Sequence, residues 1–337
     1  MSSSTATLGA AVVGLGVGEA HARTLASDPR CRLVAVCDHD REKAGALGKS
    51  LGGAKAASFE AILADPAVSL VSIASFDDDH FAQAKAALEA GKHVFVEKPL
   101  CRSFDELRAL TEARRARGLH LRSNLVLRAA PLWRWLLEAA AAGELGELYA
   151  MDGDYLFGRL EKMTDGWRKD VPDYSVMQGG GVHLVDLMLG LAGQRPTSVS
   201  ASSSRIAAAG TAFRYDDYSA AEWRFPSGLV GRVTANFGCV HRHQHAVRVF
   251  GTKATFIYDD MGARLHTSRD PGVAPRRIDL AAKPADKGVL LPDLISAIVS
   301  GADPAPAAQR EFDLIAACLA ADAARGLDRR VTLEPIK

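Results

Sequence analysis

The feature that most constrains the fold is a glycine-rich turn between an apolar run and a helical segment near the start of the chain. The turn is Gly14-Leu15-Gly16-Val17-Gly18, and the apolar run before it is Leu8 to Val13. Such a turn lets backbone N–H groups and a helix N-terminus approach a pyrophosphate. Its spacing is GxGxG instead of GxGxxG, so a tight strand-to-helix turn without a ligand is the alternative interpretation.

An acidic residue in the expected place strengthens the dinucleotide interpretation. Asp38 ends a second apolar run, Arg32 to Cys37, about 20 residues after the glycine turn. A carboxylate there accepts hydrogen bonds from a ribose 2′-OH and repels a 2′-phosphate, which favours NAD over NADP. Arg41 lies close enough in sequence to pair with a phosphate, so NADP stays possible.

The order of apolar runs predicts two domains of different class. Within residues 1–127, strand-like runs alternate with helical segments, which is typical of a doubly wound, parallel Rossmann sheet. After residue 127, strand candidates follow one another through turns such as Pro226-Ser227-Gly228, which favours a large, mostly antiparallel open sheet. We therefore expect a dinucleotide-binding domain at 1–127 and an α+β domain for substrate binding and oligomerisation at 128–337. Residues 267–285 are predicted to be a surface loop.

Composition narrows the possible partners and location. A chain of 337 residues exceeds the usual size of a single core, and its net charge of +1 argues against nucleic acid or an anionic membrane as partner. Five scattered cysteines without a CxxC pair indicate reduced thiols. The start, MSSSTATLGAAVVG, lacks the basic region of a signal peptide, and no run has the roughly 18 apolar residues of a membrane span. We expect a cytoplasmic protein.

Three stretches together resemble one known family, glucose–fructose oxidoreductase/inositol dehydrogenase (Gfo/Idh/MocA). They are GLGVGEAHA, AGKHVFVEKPL and GGGVHLVDLMLGL, and the likeness runs over almost the whole chain. His21, His80, an Arg-x-x-Pro at 128–131, Trp167-Arg168 and Gly-Thr-Lys at 251–253 also fit. The resemblance implies a nucleotide-binding domain followed by an open-sheet domain, with the active site in a cleft. It also implies NAD(P)-dependent oxidation or reduction of a carbinol carbon on a sugar, a sugar derivative or a cyclitol.

The sequence departs from the family pattern in two places. Ser75-Phe76-Asp77 stands where Thr-Pro-Asn is usual. The pattern Asp-x-Gly-x-His is matched by Gly179 to His183, so glycine replaces the usual aspartate at 179.

The chemistry of alcohol oxidation assigns roles to the remaining polar residues. His183 is the natural base for the hydroxyl proton, and a packed helix histidine is the alternative. Lys98, at the end of the strand-like run His93 to Val96, can stabilise the alkoxide. Asp186 could orient His183, since the two share a helical face, and Tyr174 is a rival proton donor.

Further residues are expected at the cofactor and the substrate. Those expected at the cofactor are Gly14, Gly16, Val17, Gly18, Asp38, Arg41, Ser75, His80, Glu97 and Lys98. Glu97 could instead pair locally or anchor its turn. Those expected at the substrate are Arg128, Trp167 and Arg168, with Arg159 and Lys169 as further cations for a phosphate or carboxylate. A solvated face is the alternative for the cations, and a core position for Trp167.

The run His241-Arg242-His243-Gln244-His245 is not interpreted as a metal site. On a strand its three histidines would share one face but span about 13 Å, too far for one ion. A polar strand edge at the substrate pocket or plain surface is favoured.

Two other functions stay open. One is an NAD-assisted glycoside hydrolase or eliminase with no net redox change, and the other is a non-catalytic dinucleotide-sensing regulator. In each case we expect a homodimer or homotetramer.

Overall fold

The computed structural model describes residues 7–327 and 329–334. By their contacts, the described residues group into two compact units, one of residues 7–126 and 284–312, the other of residues 127–283, 313–327 and 329–334. The first six residues, part of the segment in which the sequence analysis looked for a signal peptide, lie outside the described residues. None of the described helices is both long and apolar enough to cross a membrane.

The first unit contains a parallel sheet whose order over the described residues is β3-β2-β1-β4-β5-β6. The strands are β1 (Leu8–Val13), β2 (Cys31–Cys37), β3 (Lys55–Ala56), β4 (Leu70–Ile73), β5 (His93–Val96) and β6 (Leu121–Ser123). The helices that connect them are α1 (Gly18–Ser27), α2 (Arg41–Ser50), α3 (Phe59–Ala64), α4 (His80–Glu89) and α5 (Phe104–Arg117). β1 and β4 are neighbours from which the chain winds in opposite directions, so the ligand crevice of such a sheet is expected at their carboxyl ends.

Local signals fix where these helices begin and end. Asp40, Ser58 and Ser103 cap the N-termini of α2, α3 and α5, each accepting a hydrogen bond from a backbone N–H three residues on. α5 ends at Gly118, which adopts φ +61°. These caps explain why the helices were predictable from short stretches of sequence.

The second unit contains a sheet that is antiparallel except for the pair β7 and β10, in the order β14-β13-β12-β11-β7-β10-β9-β8-β15. Its strands over the described residues are β7 (Leu148–Leu156), β8 (Ser198–Ser204), β9 (Tyr218–Arg224), β10 (Val230–Asn236), β11 (Gln244–Gly251), β12 (Thr255–Asp259), β13 (Gly262–His266), β14 (Arg276–Ile278) and β15 (Val331–Thr332). Its helices include α6 (Pro131–Ala141), α7 (Glu161–Thr164) and α8 (Val182–Ala192). Single turns of 3₁₀ helix lie at Val126–Ala129 and Trp167–Asp170, and a π-helical turn at Met177–Gly181 precedes α8.

The chain returns to the first unit through α9 (Leu291–Val299). Leu291, Leu294 and Ile295 join the apolar core that contains β1 and α1 residues such as Val12 and Leu25. The unit boundary then falls inside α10 (Ala305–Ala324), after Phe312. The sequence predicts a single boundary, at residue 127, whereas the contacts assign residues 284–312 to the first unit.

The predicted fold class is confirmed, with one local correction. A parallel Rossmann sheet is followed by a larger and mostly antiparallel sheet. The prediction that residues 267–285 form only a loop was wrong, because Arg276–Ile278 forms β14, paired with β13. Pairing at a sheet edge supplies backbone hydrogen bonds even to a segment of low strand propensity.

Candidate active site

The glycine turn has a different constraint at each of its three glycines. Gly14 has φ +81°, and a Cβ added there would lie 2.4 Å from the Ala74 carbonyl oxygen. A Cβ at Gly18 would lie 3.0 Å from Val12 Cγ1, so this glycine lets α1 pack closely on β1. At Gly16 a Cβ would meet nothing within 4 Å, so the constraint on that position does not come from packing.

Asp38 is held by backbone donors at the end of β2. Leu15 N donates to Asp38 Oδ2 at 2.6 Å, and Asp40 N donates to Oδ1 at 3.0 Å. Burial alone would raise the pKa of Asp38, but these two N–H groups and the Lys43 ammonium lower the pKa overall. The carboxylate is therefore ionised at neutral pH and keeps lone pairs for further donors such as ribose hydroxyls.

The turn and Asp38 line a cleft of about 300 Å³ at the carboxyl ends of β1 and β4. Four of the residues predicted to bind cofactor line it, namely Gly14, Gly16, Asp38 and Ser75. It is also lined by residues that the sequence analysis did not single out for the cofactor, among them Leu15, His39, Phe59, Phe76 and Gln83. An open glycine position and an ionised carboxylate fit the pyrophosphate and adenosine ribose of a dinucleotide.

The other predicted cofactor residues lie around this turn or at the ends of neighbouring strands. Val17 is 41% exposed, Arg41 is exposed at the start of α2, and Gly18 is buried under the turn. His80 is fully buried, with Nδ1 2.8 Å from the Pro99 carbonyl oxygen and Nε2 3.2 Å from the Ser75 carbonyl oxygen. His80 thus links the segment after β4 to the segment after β5.

Lys98 follows β5 next to a buried polar cluster of Glu97, Asn124 and His21. Asn124 Nδ2 lies 2.6 Å from Glu97 Oε1, and His21 Nε2 lies 3.6 Å from the same oxygen. Burial would raise the pKa of Glu97, but the hydrogen bonds and charges of His21, Lys98 and Asn124 lower it to about 2. This geometry supports the local anchoring role that the sequence analysis considered for Glu97. The Lys98–Pro99 peptide is cis.

In the second unit, His183 at the start of α8 belongs to a group of aromatic and imidazole rings. The Tyr155 ring lies 6.4 Å from His183, 5.1 Å from His245 and 5.2 Å from His243, between ring centroids. His183 and His245 are both only 8% exposed, and their centroids are 6.0 Å apart. Three imidazoles therefore share one tyrosine ring.

Only part of the histidine run belongs to a strand. β11 begins at Gln244, so His241 is not on the same strand face as His245; it lies 3.0 Å from Asp260 instead. His243 and His245 are 5.0 Å apart between ring centroids. Across the described ranges 7–327 and 329–334, no group of three or more His, Cys, Asp or Glu has the geometry of a metal site.

The three-glycine run before His183 admits bulky side chains close to the backbone. A Cβ at Gly179 would lie 2.2 Å from the Tyr174 hydroxyl oxygen, and a Cβ at Gly180 would lie 2.3 Å from Tyr155 Cε1. The same hydroxyl of Tyr174 accepts a hydrogen bond from Arg168 Nε at 3.1 Å. Tyr174, one of the two auxiliary residues predicted from sequence, is thus in contact with the glycine that replaces the family aspartate.

The remaining predicted residues of this unit are engaged in pairs. Arg128 donates to both carboxylate oxygens of Asp186, at 2.7 and 2.8 Å, in a bidentate ion pair. The sequence predicts separate roles for these two residues, Arg128 at the substrate and Asp186 behind His183. The Arg168 guanidinium stacks on the Trp167 ring, 4.4 Å from its centroid.

Two family profiles match the chain. An oxidoreductase family with an NAD-binding Rossmann fold matches residues 8–125, and the Gfo/Idh/MocA C-terminal domain matches residues 133–257. The chain belongs to the Gfo/Idh/MocA family, as its motifs predicted.

Similar proteins include oxidoreductases of several organisms. The uncharacterized oxidoreductase ORF334 of Rhizobium meliloti is 31% identical over 66% of this chain and 64% of its own length. The scyllo-inositol 2-dehydrogenase (NAD(+)) of Bacillus subtilis is 29% identical over 73% of this chain and 72% of its own. The chain spans 43%, 44% and 39% of the length of three other curated relatives.

A solved structure of similar shape supports the same fold. GenD2 from gentamicin A biosynthesis, in complex with NAD, aligns with a TM-score of 0.80 and 25% identity, covering 97% of each chain.

Proposed function

We propose that this protein is an NAD-dependent oxidoreductase that interconverts a carbinol and a carbonyl group on a sugar, a sugar derivative or a cyclitol. The observation that carries the proposal is the cleft where Gly16 offers open space and Asp38 offers an ionised carboxylate. These features suit a pyrophosphate and an adenosine ribose. NAD, when bound, supplies the hydride acceptor or donor. The name of the Bacillus subtilis relative supports a cyclitol or sugar as substrate.

Lys98 and His183 carry the acid–base chemistry in this proposal. The Lys98 ammonium stabilises negative charge on the substrate oxygen as the hydroxyl proton leaves. His183 takes that proton during oxidation and returns it during reduction. Glu97 is left out of this step because its carboxylate is bound to Asn124 within the first unit.

A turnover screen with matched variants tests the proposal. NADH formation is followed with inositols, aldoses, sugar acids, sugar phosphates and nucleotide sugars. Lys98→Met and His183→Ala should each lower kcat about 100-fold or more and keep the affinity for NAD. Lys85→Met is the control, because Lys85 is an exposed lysine of α4 that pairs with Glu89. Unchanged turnover in Lys98→Met, or no NADH from any substrate of an NAD-binding protein, would overturn the proposal.

The proposal extends to a homodimer or homotetramer in the cytoplasm. Reduced thiols support the location: all five cysteines are free, and Cys31, Cys101 and Cys318 are buried. Light scattering after size exclusion tests the assembly, and a monomer at micromolar concentration would contradict it.

A further inference from the structure

Two arginines of the second unit share one phenylalanine ring. The guanidinium carbon of Arg159 lies 4.4 Å from the centroid of Phe157, and that of Arg168 lies 5.8 Å from the same centroid. Phe157 is only 4% exposed, and both arginines are half-buried. Both cations therefore face the same aromatic side chain.

No carboxylate of the described residues neutralises this pair. Other arginines of the unit have such partners: Arg128 pairs with Asp186, and Arg264 pairs with Asp259. For Arg159 and Arg168, by contrast, no Asp or Glu among residues 7–327 and 329–334 forms an ion pair within 4 Å. Arg168 donates from Nε to a neutral acceptor, the Tyr174 hydroxyl. Arg159 Nε is shielded from solvent and has no hydrogen-bond acceptor among those same residues.

The arginine pair borders the ring group that contains His183. Phe157 stacks on Tyr155, with centroids 6.2 Å apart, and Tyr155 stacks on His183 at 6.4 Å. Burial raises the pKa of Tyr155 to about 12, while the charges of Arg159 and Arg168 oppose that rise. Both cations therefore act on the tyrosine that touches the proposed base.

Neighbouring side chains fix the orientation of the Arg168 guanidinium. The Trp167 ring and the Tyr174 hydroxyl hold the Arg168 guanidinium from a face and an edge, which leaves its other N–H groups for a ligand. Lys169 is not part of the group, because it pairs with Asp170 at 3.2 Å.

We propose that Arg159 and Arg168 form a subsite for an oxyanion on the substrate, a carboxylate or a phosphate. The proposal rests on the oxidoreductase function above and narrows its substrate to an acidic or phosphorylated sugar or cyclitol. A guanidinium offers parallel N–H donors that match the two oxygens of either group, and both guanidinium groups lie over the same Phe157 ring. The oxyanion would neutralise the pair and hold the carbinol beside the rings around His183.

A binding measurement independent of turnover tests this subsite. Saturation-transfer NMR and calorimetry on the full-length, NAD-loaded protein compare matched sets: glucose, glucuronate and glucose 6-phosphate; galactose, galacturonate and galactose 6-phosphate; myo-inositol and its monophosphate. At least one anionic member should bind about tenfold or more tightly than its neutral counterpart. The carboxylate and phosphate members show which oxyanion is preferred. Inorganic phosphate should compete with that member.

Matched variants connect the preference to the arginines. Arg159→Gln and Arg168→Gln should each weaken the anionic ligand about tenfold and leave the neutral ligand unchanged, while Arg159→Lys and Arg168→Lys keep part of the affinity. Arg276→Gln is the control, because Arg276 is exposed at the start of β14 and pairs with Glu144 at 3.1 Å. Thermal unfolding checks that each variant is folded.

The possible outcomes distinguish the oxyanion subsite from the oxidoreductase function on which it rests. Equal binding of neutral and anionic members, no binding of any anionic member, or anion affinity unchanged in both Gln variants would overturn the subsite. NADH formation from neutral sugars alone would keep the oxidoreductase and remove the subsite. Arginine-dependent anion binding without NADH formation would keep the subsite and contradict the oxidoreductase.

Discussion

The hydroxyl oxygen of Tyr174 lies 2.2 Å from the position that a Cβ atom at Gly179 would occupy. The family pattern has aspartate at this position, so the space for the start of its side chain is filled by a tyrosine from the preceding loop. The hydroxyl accepts a hydrogen bond from Arg168. In this chain the Tyr174 hydroxyl therefore occupies the space that the first side-chain atom of an aspartate at 179 would need.

Placing aspartate at position 179 should destabilise the protein unless Tyr174 is replaced as well. Gly179→Asp alone should lower the free energy of unfolding by about 1–3 kcal/mol, because the new Cβ displaces the Tyr174 ring. Tyr174→Ala leaves a cavity and should also destabilise the protein, but the double variant should be more stable than the sum of the two losses indicates.

Thermal and urea unfolding of the four proteins measure this coupling. If Gly179→Asp is as stable as the unaltered protein, or if the two losses simply add, the two side chains do not compete for one space.

The glycine turn allows a second test with an internal control. Gly14→Ala should destabilise the protein by about 1–3 kcal/mol, since a Cβ there meets a carbonyl at 2.4 Å and φ is +81°. Gly16→Ala should unfold at the same temperature as the unaltered protein and still bind NAD more weakly, because only a ligand would meet its Cβ. Gly45→Ala, another position with nothing within 4 Å, should leave NAD binding unchanged.

Calorimetric titration with NAD and thermal unfolding separate these effects. Full NAD affinity in Gly16→Ala would remove the turn from the proposed cofactor site.

Features formed by residues that are close together in the chain could be predicted from the sequence. Features that join distant residues could not. The turn at Gly14, the strand before Lys98 and the capped helices are encoded within about ten residues each, so propensity and pattern were enough. The rings of Tyr155, His245 and His183 meet only because β7, β11 and α8 pack together, and one sequence holds no periodic signal of that packing.

The ion pair between Asp186 and Arg128 was not predicted from the sequence, and the roles expected for these two residues stay predictions. Asp186 does share a helix with His183, but its carboxylate is bound by Arg128, which is distant in the chain. An ion pair of this kind depends on tertiary packing, and helical spacing alone could not reveal it. In the HRHQH run, His243 and His245 both contact Tyr155, and the interpretation of this run as a pocket edge or plain surface stays a prediction.

Asp38 should decide between the two dinucleotides. Its lowered pKa keeps it charged at neutral pH, so the unaltered protein should bind NAD more tightly than NADP. Asp38→Asn keeps the shape and an acceptor for Leu15 N but removes the charge, and should narrow the NAD-to-NADP affinity ratio about tenfold or more. Dissociation constants for both dinucleotides check this, and a preference of the unaltered protein for NADP would contradict it.

The packing of His93 against His120 should make the first unit sensitive to mild acid. Their ring centroids are 5.3 Å apart, and His93 Nδ1 accepts a hydrogen bond from His120 N at 3.1 Å. Burial, together with the charge of His120, lowers the pKa of His93 from 6.5 to about 4. The unfolded chain therefore binds a proton between pH 6.5 and pH 4 that the folded chain does not, and stability falls as the pH drops through this window.

Comparison with His93→Gln separates the contribution of His93 to the pH dependence of stability from the contribution of the carboxylates. The unaltered protein should lose up to about 3 kcal/mol between pH 6.5 and pH 4 through His93, and His93→Gln should lose correspondingly less over the same range. Urea unfolding of both proteins at pH 7, 6, 5 and 4 gives the two slopes, with Lys85→Met as a control for a surface change in the same unit. Equal slopes for the unaltered protein and His93→Gln would contradict the prediction, because they would mean that this imidazole titrates alike in the folded and unfolded chains.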